Sequence, residues 1–344
     1  MGIVSAFITV AILILVAWAG VRGLGLVGLF GVVIPYAAMA IFLCGVLFHI
    51  IKWARVPNPF RIPTTGGQQR GLRGIRPSRL DNPFTTGQVI GRMASEVFLF
   101  RSLFRNLAPR VAAPGAGVSY ASAKWLWLFA VVFHYAMVIT VFRHLRFFIN
   151  PVPWAVRVVE RIDGWLQAGL PQIMVSGLLL LAALVLLSAR RLIVPRHRYI
   201  SLMNDFFPLF LLVAIAGSGI LMRYVVGIDV TSVKQLAMGL VSFSPVVSPK
   251  IGALFFIHLF LVSVLLTYFP FSKLMHAAGI FFSPTRALAN NNRAVHHANP
   301  WNYPVPFHSY AAYEAEFHDK MVAAGIPLDH PAEPSIEKEP RRGP

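Results

Sequence analysis

The sequence predicts an all-α integral membrane protein with six transmembrane helices. Of the 344 residues, 56% are hydrophobic and only 13% are charged, whereas a soluble domain carries about 25% charged residues. Six apolar runs are long enough to supply the ~20 residues that a helix needs to cross a ~30 Å hydrocarbon core. A net charge of +18 on so apolar a chain favours a lipid bilayer, and not nucleic acid, as its surroundings.

The six apolar runs divide the chain into four parts. The first run lacks the basic leader and the small-residue cleavage site of a signal peptide, so we expect it to remain as an anchor. The runs cover approximately residues 3–19, 26–51, 125–149, 173–189, 206–222 and 251–271. The resulting parts are two helices over 1–51, a basic loop over 52–124, a helical core over 125–276 and a tail over 277–344.

The distribution of Lys and Arg predicts the orientation in the membrane. Residues 52–124 hold 12 Lys and Arg against two acids, and four more arginines lie between spans four and five. Because positively charged loops stay on the cytoplasmic side, we expect both loops and both termini in the cytoplasm of a bacterium or archaeon. Arg157 and Arg161 in the second outer loop oppose this orientation but are outnumbered.

The segments outside the membrane differ in character. The stretch NPFRIPTTGGQQRGLRGIRP is rich in Gly, Pro and Arg and predicts irregular backbone. Residues 89–107 carry apolar side chains at helical spacing, which predicts an amphipathic helix on the inner leaflet or against a partner. The tail shows no strong period, so we expect it to lie across another subunit, with about the last 15 residues disordered.

A single cysteine, Cys44, lies inside an apolar run. It excludes an internal disulfide, a cysteine-rich iron–sulfur site and covalent haem attachment through C-x-x-C-H. Any iron–sulfur or thiol chemistry therefore requires another subunit.

Four histidines in two spans are the main chemical feature of the sequence. His134 and His144 lie ten residues apart in span three, and His258 and His276 lie eighteen apart in span six. Ionisable groups inside a membrane are costly and usually functional, and neutral imidazole is an axial ligand of haem iron. The alternative is that each histidine forms an ordinary interhelical hydrogen bond or lies at the membrane interface.

Spans three and six are three crossings apart and therefore antiparallel. This pairs His134 with His276 near the cytoplasm and His144 with His258 near the outer face, so the sequence predicts two bis-histidine b haems. On continuous helices the two spacings rise ~15 Å and ~27 Å, and the difference must be absorbed by tilt or kinking. His49 has no partner and is expected at the interface. The remaining histidines, interpreted as solvent or partner contacts, are His197, His296, His297, His308, His318 and His330.

Charged residues near the outer ends of the spans are candidates for supporting roles. Arg143, Arg146 and Arg223 could bind haem propionates, or they could be ordinary snorkelling residues. Glu160 and Asp163 could carry protons, or they could form a solvated acidic turn.

Several features of the sequence resemble known families. The histidine spacings and span five, NDFFPLFLLVAIAGSGILMRY, are similar to NarI, the cytochrome b subunit of respiratory nitrate reductase, and to heterodisulfide-reductase-type cytochromes. Gly217 and Gly219 in this span could let a porphyrin approach, or could serve helix packing. The loop motif GRMASEVFLFRSLFRN, the aromatic tail and the additional N-terminal span resemble DsrM, the cytochrome b family of Dsr complexes in dissimilatory sulfur metabolism.

The resemblance extends from about residue 26 onward and implies a NarI-like di-haem core of four or five helices plus an extra N-terminal helix. It also implies a cytoplasmic iron–sulfur partner resembling DsrK, which interacts with the dithiol protein DsrC. Further implied partners are a periplasmic multihaem cytochrome c, a periplasmic iron–sulfur protein and a second quinone-interacting membrane subunit. The inner haem would face the iron–sulfur partner, and the outer haem would face menaquinone or ubiquinone.

Other functions remain open at the level of sequence. A NarI-type or heterodisulfide-reductase-type quinol cytochrome of another respiratory complex is the nearest alternative, although nitrate reductase cytochromes lack the long loop before span three. A transporter would place charged residues or broken helices at mid-membrane, and a non-redox anchor would need no paired histidines.

Overall fold

The computed structural model describes residues 2–58, 60–62, 67–111, 118–166, 171–297 and 308–329. The described residues contain six helices that are long and apolar enough to cross a membrane, which confirms the predicted fold class. Their bounds lie within a few residues of the predicted ones: Gly2–Gly23, Leu29–Ala54, Lys124–Phe147, Val175–Ile193, Met203–Val226 and Ala253–Phe271.

The described residues form thirteen α-helices, of which six are the regular parts of the spans. In chain order they are α1 (Gly2–Trp18), α2 (Ile34–Ala54), α3 (Thr86–Leu99), α4 (Arg101–Phe104), α5 (Lys124–His144), α6 (Trp154–Asp163), α7 (Val175–Ile193), α8 (Pro195–Ile200), α9 (Met203–Leu221), α10 (Val230–Val241), α11 (Ala253–Tyr268), α12 (His276–Gly279) and α13 (Tyr310–Ala323). Three π-helical turns, which extend or precede α1, α2 and α9, cover Ala19–Gly23, Leu29–Val33 and Met222–Val226.

The spans pack as a chain of neighbours. α5 packs on α7, α7 on α9, and α9 on α11, while α1 packs on α9 and α11, and α2 packs on α11. Ala6 of α1 and Ala136 of α5 are almost completely buried, because small side chains let helices approach closely in a membrane. Leu211 of α9 and Leu261 of α11 are fully buried in the same core as Ala6.

The chain between His258 and His276 is not one continuous helix. α11 ends at Tyr268, and two 3₁₀ turns, Phe269–Phe271 and Lys273–Met275, precede α12. Pro270 lies in the first turn, where its ring interrupts the hydrogen-bond ladder of the helix. The expected ~27 Å rise on one helix face is therefore wrong, and these turns determine where His276 lies.

The large loop, residues 55–123, contains more secondary structure than the single helix that the sequence predicted over 89–107. α3 begins at Thr86, where the Thr85 hydroxyl accepts a hydrogen bond from the Gln88 amide, and it ends at Phe100, which has a left-handed φ of 51°. After α4, strands β1 (Leu107–Val111) and β2 (Val118–Ser122) form an antiparallel hairpin. The single helix was wrong because its apolar spacing continues across the kink and into the first strand.

α3 turns polar side chains toward the rest of the loop. Arg92 and Glu96 are each only 5% exposed, whereas Ile90 is 64% exposed. Asp81 accepts hydrogen bonds from Arg101 at 2.6 Å and, through its backbone carbonyl, from Arg92 at 2.8 Å. The Arg101 guanidinium holds the pKa of the Asp81 carboxyl well below its usual range. The loop is therefore organised around a buried ionic cluster, and its apolar side chains are left to face outward.

The chain forms two compact units, residues 1–296 and 297–344. In the first unit, the segment after α12 pairs with the large loop: the Asn290 amide donates to the Pro83 carbonyl at 2.6 Å, and its side chain donates to Asn82 at 3.0 Å. In the second unit, the Ser309 hydroxyl caps α13. Residues 330–344, where disorder was predicted, lie outside the described residues.

Two helices, α6 and α10, lie in segments that the sequence analysis left as loops on the face opposite the large loop. Asp163 at the end of α6 is only 8% exposed. Its carboxylate accepts hydrogen bonds from Arg143 of α5 and from the amide and hydroxyl of Ser176 of α7. Asp163 is thus a buried ion-pair partner, and the interpretation of this residue as part of a solvated acidic turn is wrong.

The buried ion pair predicts a large stability loss for Asp163→Asn. The change leaves the Arg143 guanidinium in the core without its counter-charge, which costs about 3–5 kcal/mol. Glu160→Gln is the matched control, because it removes an ion pair in which the Arg146 side chain is 41% exposed. Such an exposed pair is worth about 1 kcal/mol or less. Thermal unfolding in detergent, followed by circular dichroism, compares the two variants; equal midpoints would contradict the assigned role of Asp163.

The ionic cluster predicts that Asp81→Asn opens the large loop. Arg101 and Arg105 would lose the carboxylate that holds them, so cleavage of the loop by trypsin should accelerate about tenfold, equivalent to about 1.4 kcal/mol. Asp319→Asn changes an exposed acid of α13 and serves as the control. Unchanged protection of the loop in Asp81→Asn would show that the cluster does not hold it closed.

Candidate functional site

His134 and His276 meet on the loop face of the bundle. His134 comes from α5 and His276 begins α12, and their ring centres lie 6.1 Å apart with planes at 78°. A metal bound by two imidazole nitrogens, each at about 2 Å, separates the ring centres by about 6 Å. The spacing of these two rings therefore fits a shared metal ion.

His144 and His258 are the second predicted pair, toward the opposite face. His144 is the last residue of α5, and His258 lies in the first half of α11. His134 and His276 lie together as the antiparallel course of spans three and six predicts, and the pairing of His144 with His258 stays a prediction.

All four imidazoles have the same nitrogen, Nδ1, engaged in a hydrogen bond. The acceptors for His134, His144 and His276 are the backbone carbonyls three or four residues earlier, each at 2.7 Å. The partner of His258 is the Ser218 hydroxyl at 2.9 Å. Because a carbonyl can only accept, Nδ1 carries the hydrogen in the first three rings, and Nε2 is left with its lone pair for a metal.

The helices that carry the histidines leave space between them. Within the described residues, α5 packs extensively on α7 but not on α11. Only 6% of the apolar segment of span three is buried, against 17–28% of the corresponding segments in the other five spans. His144 and His276 are exposed, and His134 and His258 are half-buried. A planar cofactor between α5 and α11 would cover these rings, and paired neutral imidazoles are the donor set of a six-coordinate b haem.

An aromatic residue of the large loop covers the inner pair. The Phe100 ring lies 4.9 Å from the His134 ring. Two side chains of α5 hold the end of α3 in place: Trp127 donates to the Leu99 carbonyl at 2.8 Å, and Tyr135 donates to the Phe98 carbonyl at 3.0 Å. The sequence analysis missed this role of Phe100, because no local pattern distinguishes it from the other apolar residues of its motif.

Each of the three predicted arginines has a protein partner. Arg143 binds Asp163, Arg146 binds Glu160 at 2.9 Å, and Arg223 donates to the backbone carbonyl of Gln172 at 2.9 Å. Among the described residues, the Nε atom of Arg143 is buried and has no hydrogen-bond partner, so this side chain keeps one donor for a further acceptor. Propionate binding by these arginines stays a prediction.

The two predicted glycines of α9 differ in their surroundings. A Cβ atom at Gly219 would lie 3.5 Å from Cε1 of His258, whereas one at Gly217 would meet nothing within 4 Å. Gly219 therefore borders the His258 ring, and among the described residues no atom lies close to the Cβ position of Gly217. Ser218 between them was not singled out from sequence, although a hydroxyl flanked by two glycines inside a span is a visible feature.

Three of the other histidines have neighbours of their own. His49 contacts the rings of Trp53 and Phe271 at 5.7 and 6.4 Å, and its position at the membrane interface stays a prediction. His197 accepts a hydrogen bond from Arg190 at 2.8 Å, and burial together with neighbouring arginines lowers the pKa of His197. His308 pairs with Glu316 at 3.3 Å in the second unit.

Two kinds of comparison place the chain among known proteins. The sequence model of the nitrate reductase gamma subunit matches residues 92–295, which include all four paired histidines. Two relatives are described as Hdr-like menaquinol oxidoreductase cytochrome b-like subunits. The protein from Archaeoglobus fulgidus is 45% identical over 80% of this chain and 83% of its own length, and that from Archaeoglobus profundus is 41% identical over 78% and 81%.

The family match covers four of the six apolar helices, and the two relatives each align with about four fifths of the chain. The family match begins in α3 and ends beyond α12, so it covers the spans that carry the paired imidazoles. The chain is a multi-pass membrane protein and belongs to the nitrate reductase gamma subunit family, the NarI-like cytochromes b.

Proposed function

We propose that this chain is the membrane cytochrome b subunit of an Hdr-like menaquinol oxidoreductase, passing electrons between membrane menaquinone and a cytoplasmic iron–sulfur subunit. The observation that carries the proposal is the meeting of His134 and His276 at 6.1 Å with both Nε2 atoms free for a metal. The two Archaeoglobus relatives, described as Hdr-like menaquinol oxidoreductase cytochrome b-like subunits, support the same function.

Two b haems are assigned to the two pairs. His134 and His276 hold the inner haem, and His144 and His258 hold the outer haem. When bound, the haem iron supplies one-electron chemistry that no side chain of the protein offers. The chain contributes the ligands, the hydrogen bonds that orient them and an apolar interior that excludes water.

The large loop is proposed to face the cytoplasm, because positive charge is retained on that side and residues 52–124 carry 12 Lys and Arg. The inner pair lies at this face, beneath Phe100. An iron–sulfur partner that docks on the loop would therefore approach the inner haem more closely than the outer one. Since Cys44 is the only cysteine, the iron–sulfur clusters belong to that partner.

The outer pair is proposed to exchange electrons with the quinone. Oxidation of a quinol there releases protons toward the outer face. Glu160 is the better placed of the two candidate carriers, because it pairs with the half-exposed Arg146, whereas Asp163 is held by Arg143 and Ser176 in the interior. Arg143, with its unused Nε donor, is the arginine best suited to a propionate.

The loop motif GRMASEVFLFRSLFRN extends the proposal to a Dsr-type complex of sulfur metabolism, with a DsrK-like iron–sulfur partner, a multihaem cytochrome c, a periplasmic iron–sulfur protein and a second quinone-interacting membrane subunit. The family name favours a second candidate, the anchor of a respiratory nitrate reductase. Purification of the complex from native membranes distinguishes the two. A cysteine-rich iron–sulfur subunit supports the first candidate, and a molybdenum subunit would replace it with the second.

The paired histidines predict the haem content of four variants. The wild type should contain two b haems, and His134→Ala and His276→Ala should each lose the same one, because each removes an axial ligand of the inner iron. His144→Ala and His258→Ala should each lose the other. Dithionite-reduced minus oxidised spectra with haem quantitation on purified protein measure this.

His49→Ala is the control for these variants, because His49 also lies in a span but belongs to neither pair. It should retain both haems. A folded wild type without haem would overturn the proposed function, and loss of haem in His49→Ala would overturn the assignment of the ligands.

The glycines of α9 predict a difference between two matched substitutions. Gly219→Leu extends a side chain beyond a Cβ that already contacts the His258 ring, so it should displace the ring and remove the outer haem. Gly217→Leu adds the same side chain to open space and should keep both haems. Haem-to-protein ratios test this; equal losses would show that Gly219 has no special position.

A further inference from the structure

We propose that Ser218 positions His258 as a ligand of the outer haem iron and thereby lowers the redox potential of that haem. The inference rests on the proposed function, in which His144 and His258 hold that haem. Its basis is a contact between two spans: the Ser218 hydroxyl of α9 lies 2.9 Å from Nδ1 of His258 on α11.

The direction of this hydrogen bond follows from a second contact of the same hydroxyl. Ser218 Oγ lies 3.0 Å from the Ile215 carbonyl, one turn earlier in α9. A carbonyl can only accept, so the single hydroxyl hydrogen is committed to Ile215. The hydroxyl oxygen is then an acceptor toward His258, and Nδ1 must carry the ring hydrogen. This tautomer leaves Nε2 of His258 free for iron.

Ser218 is distinct among the four acceptors. The carbonyls that orient His134, His144 and His276 belong to the same helical stretch as each histidine, so no side-chain substitution removes them. His258 instead bonds to a side chain on a neighbouring helix. Ser218 is only 7% exposed, so bulk water has little access to replace the hydroxyl if it is lost.

The neighbouring residue makes this orientation sterically possible. Gly219 leaves room beside Cε1 of His258, where an added Cβ would already be in van der Waals contact at 3.5 Å. Ser218 and Gly219 therefore act together, because the hydroxyl fixes the rotation of the ring and the glycine provides the space that the ring occupies.

The chemical consequence concerns the basicity of the ligand. An acceptor on Nδ1–H makes Nε2 more electron-rich, and the loss of such outer partners costs about 10- to 100-fold in metal affinity. A more basic ligand stabilises ferric over ferrous iron, so removing the hydroxyl should raise the potential of the outer haem. A tenfold loss of this preference corresponds to about 59 mV for a one-electron couple.

The test is a potentiometric titration of both haems in the purified full-length chain. Ser218→Ala should raise the potential of the outer haem, which corresponds to an about tenfold loss of its ferric preference. The potential of the inner haem should stay unchanged. Ser218→Thr restores a hydroxyl and should restore the wild-type potential. Ser263→Ala is the matched control, because Ser263 is a buried serine of α11 whose hydroxyl donates to the Leu259 carbonyl of its own helix.

Each outcome decides the matter. An upward shift or loss of the outer haem in Ser218→Ala, with recovery in Ser218→Thr, supports the assignment. Unchanged potentials in Ser218→Ala, equal effects of Ala and Thr, or equal shifts of both haems would overturn it. A folded wild type without haem would instead refute the proposed function itself, so the two failures are distinguishable.

Discussion

The hydrogen bond at Nδ1 of each paired histidine is the interaction on which the arrangement of the membrane core depends. An imidazole in hydrocarbon is costly unless its polar atoms are satisfied. Here Nδ1 of each ring is satisfied by a carbonyl or a hydroxyl of the helices, and Nε2 keeps its lone pair for a ligand. Because the same nitrogen is engaged in all four rings, both pairs present Nε2, the atom that a metal between them requires.

A cofactor shared by α5 and α11 would keep these two helices apart. In the described residues α5 rests on α7, while α11 rests on α9, α2 and α1. The two N-terminal spans therefore support the helix that carries His258. The ion pair between Arg143 and Asp163 provides a comparable support for α5, since it ties the end of that helix to α6 and α7.

The large loop connects the inner pair to the surface where a partner would dock. Asp81 draws arginines of α3 and α4 into one buried cluster, and the kink between these helices places Phe100 against His134. Ile90, Phe98 and Leu99 remain exposed on the outside of this segment. The polar interior and apolar exterior of the segment suit a surface that lipid or another subunit covers.

Length and hydropathy are local properties, so the six spans could be predicted from the sequence by itself. The sequence also predicted which histidines pair, because an antiparallel crossing determines which ends of two helices meet, and His134 and His276 lie together in the structure. The kink at Phe100, the β-hairpin and the turns around Pro270 were not predictable from apolar spacing. The partners Ser218–His258 and Arg143–Asp163 join different helices, and only the tertiary structure decides which polar side chains meet, because such contacts depend on distances between elements that no local pattern records.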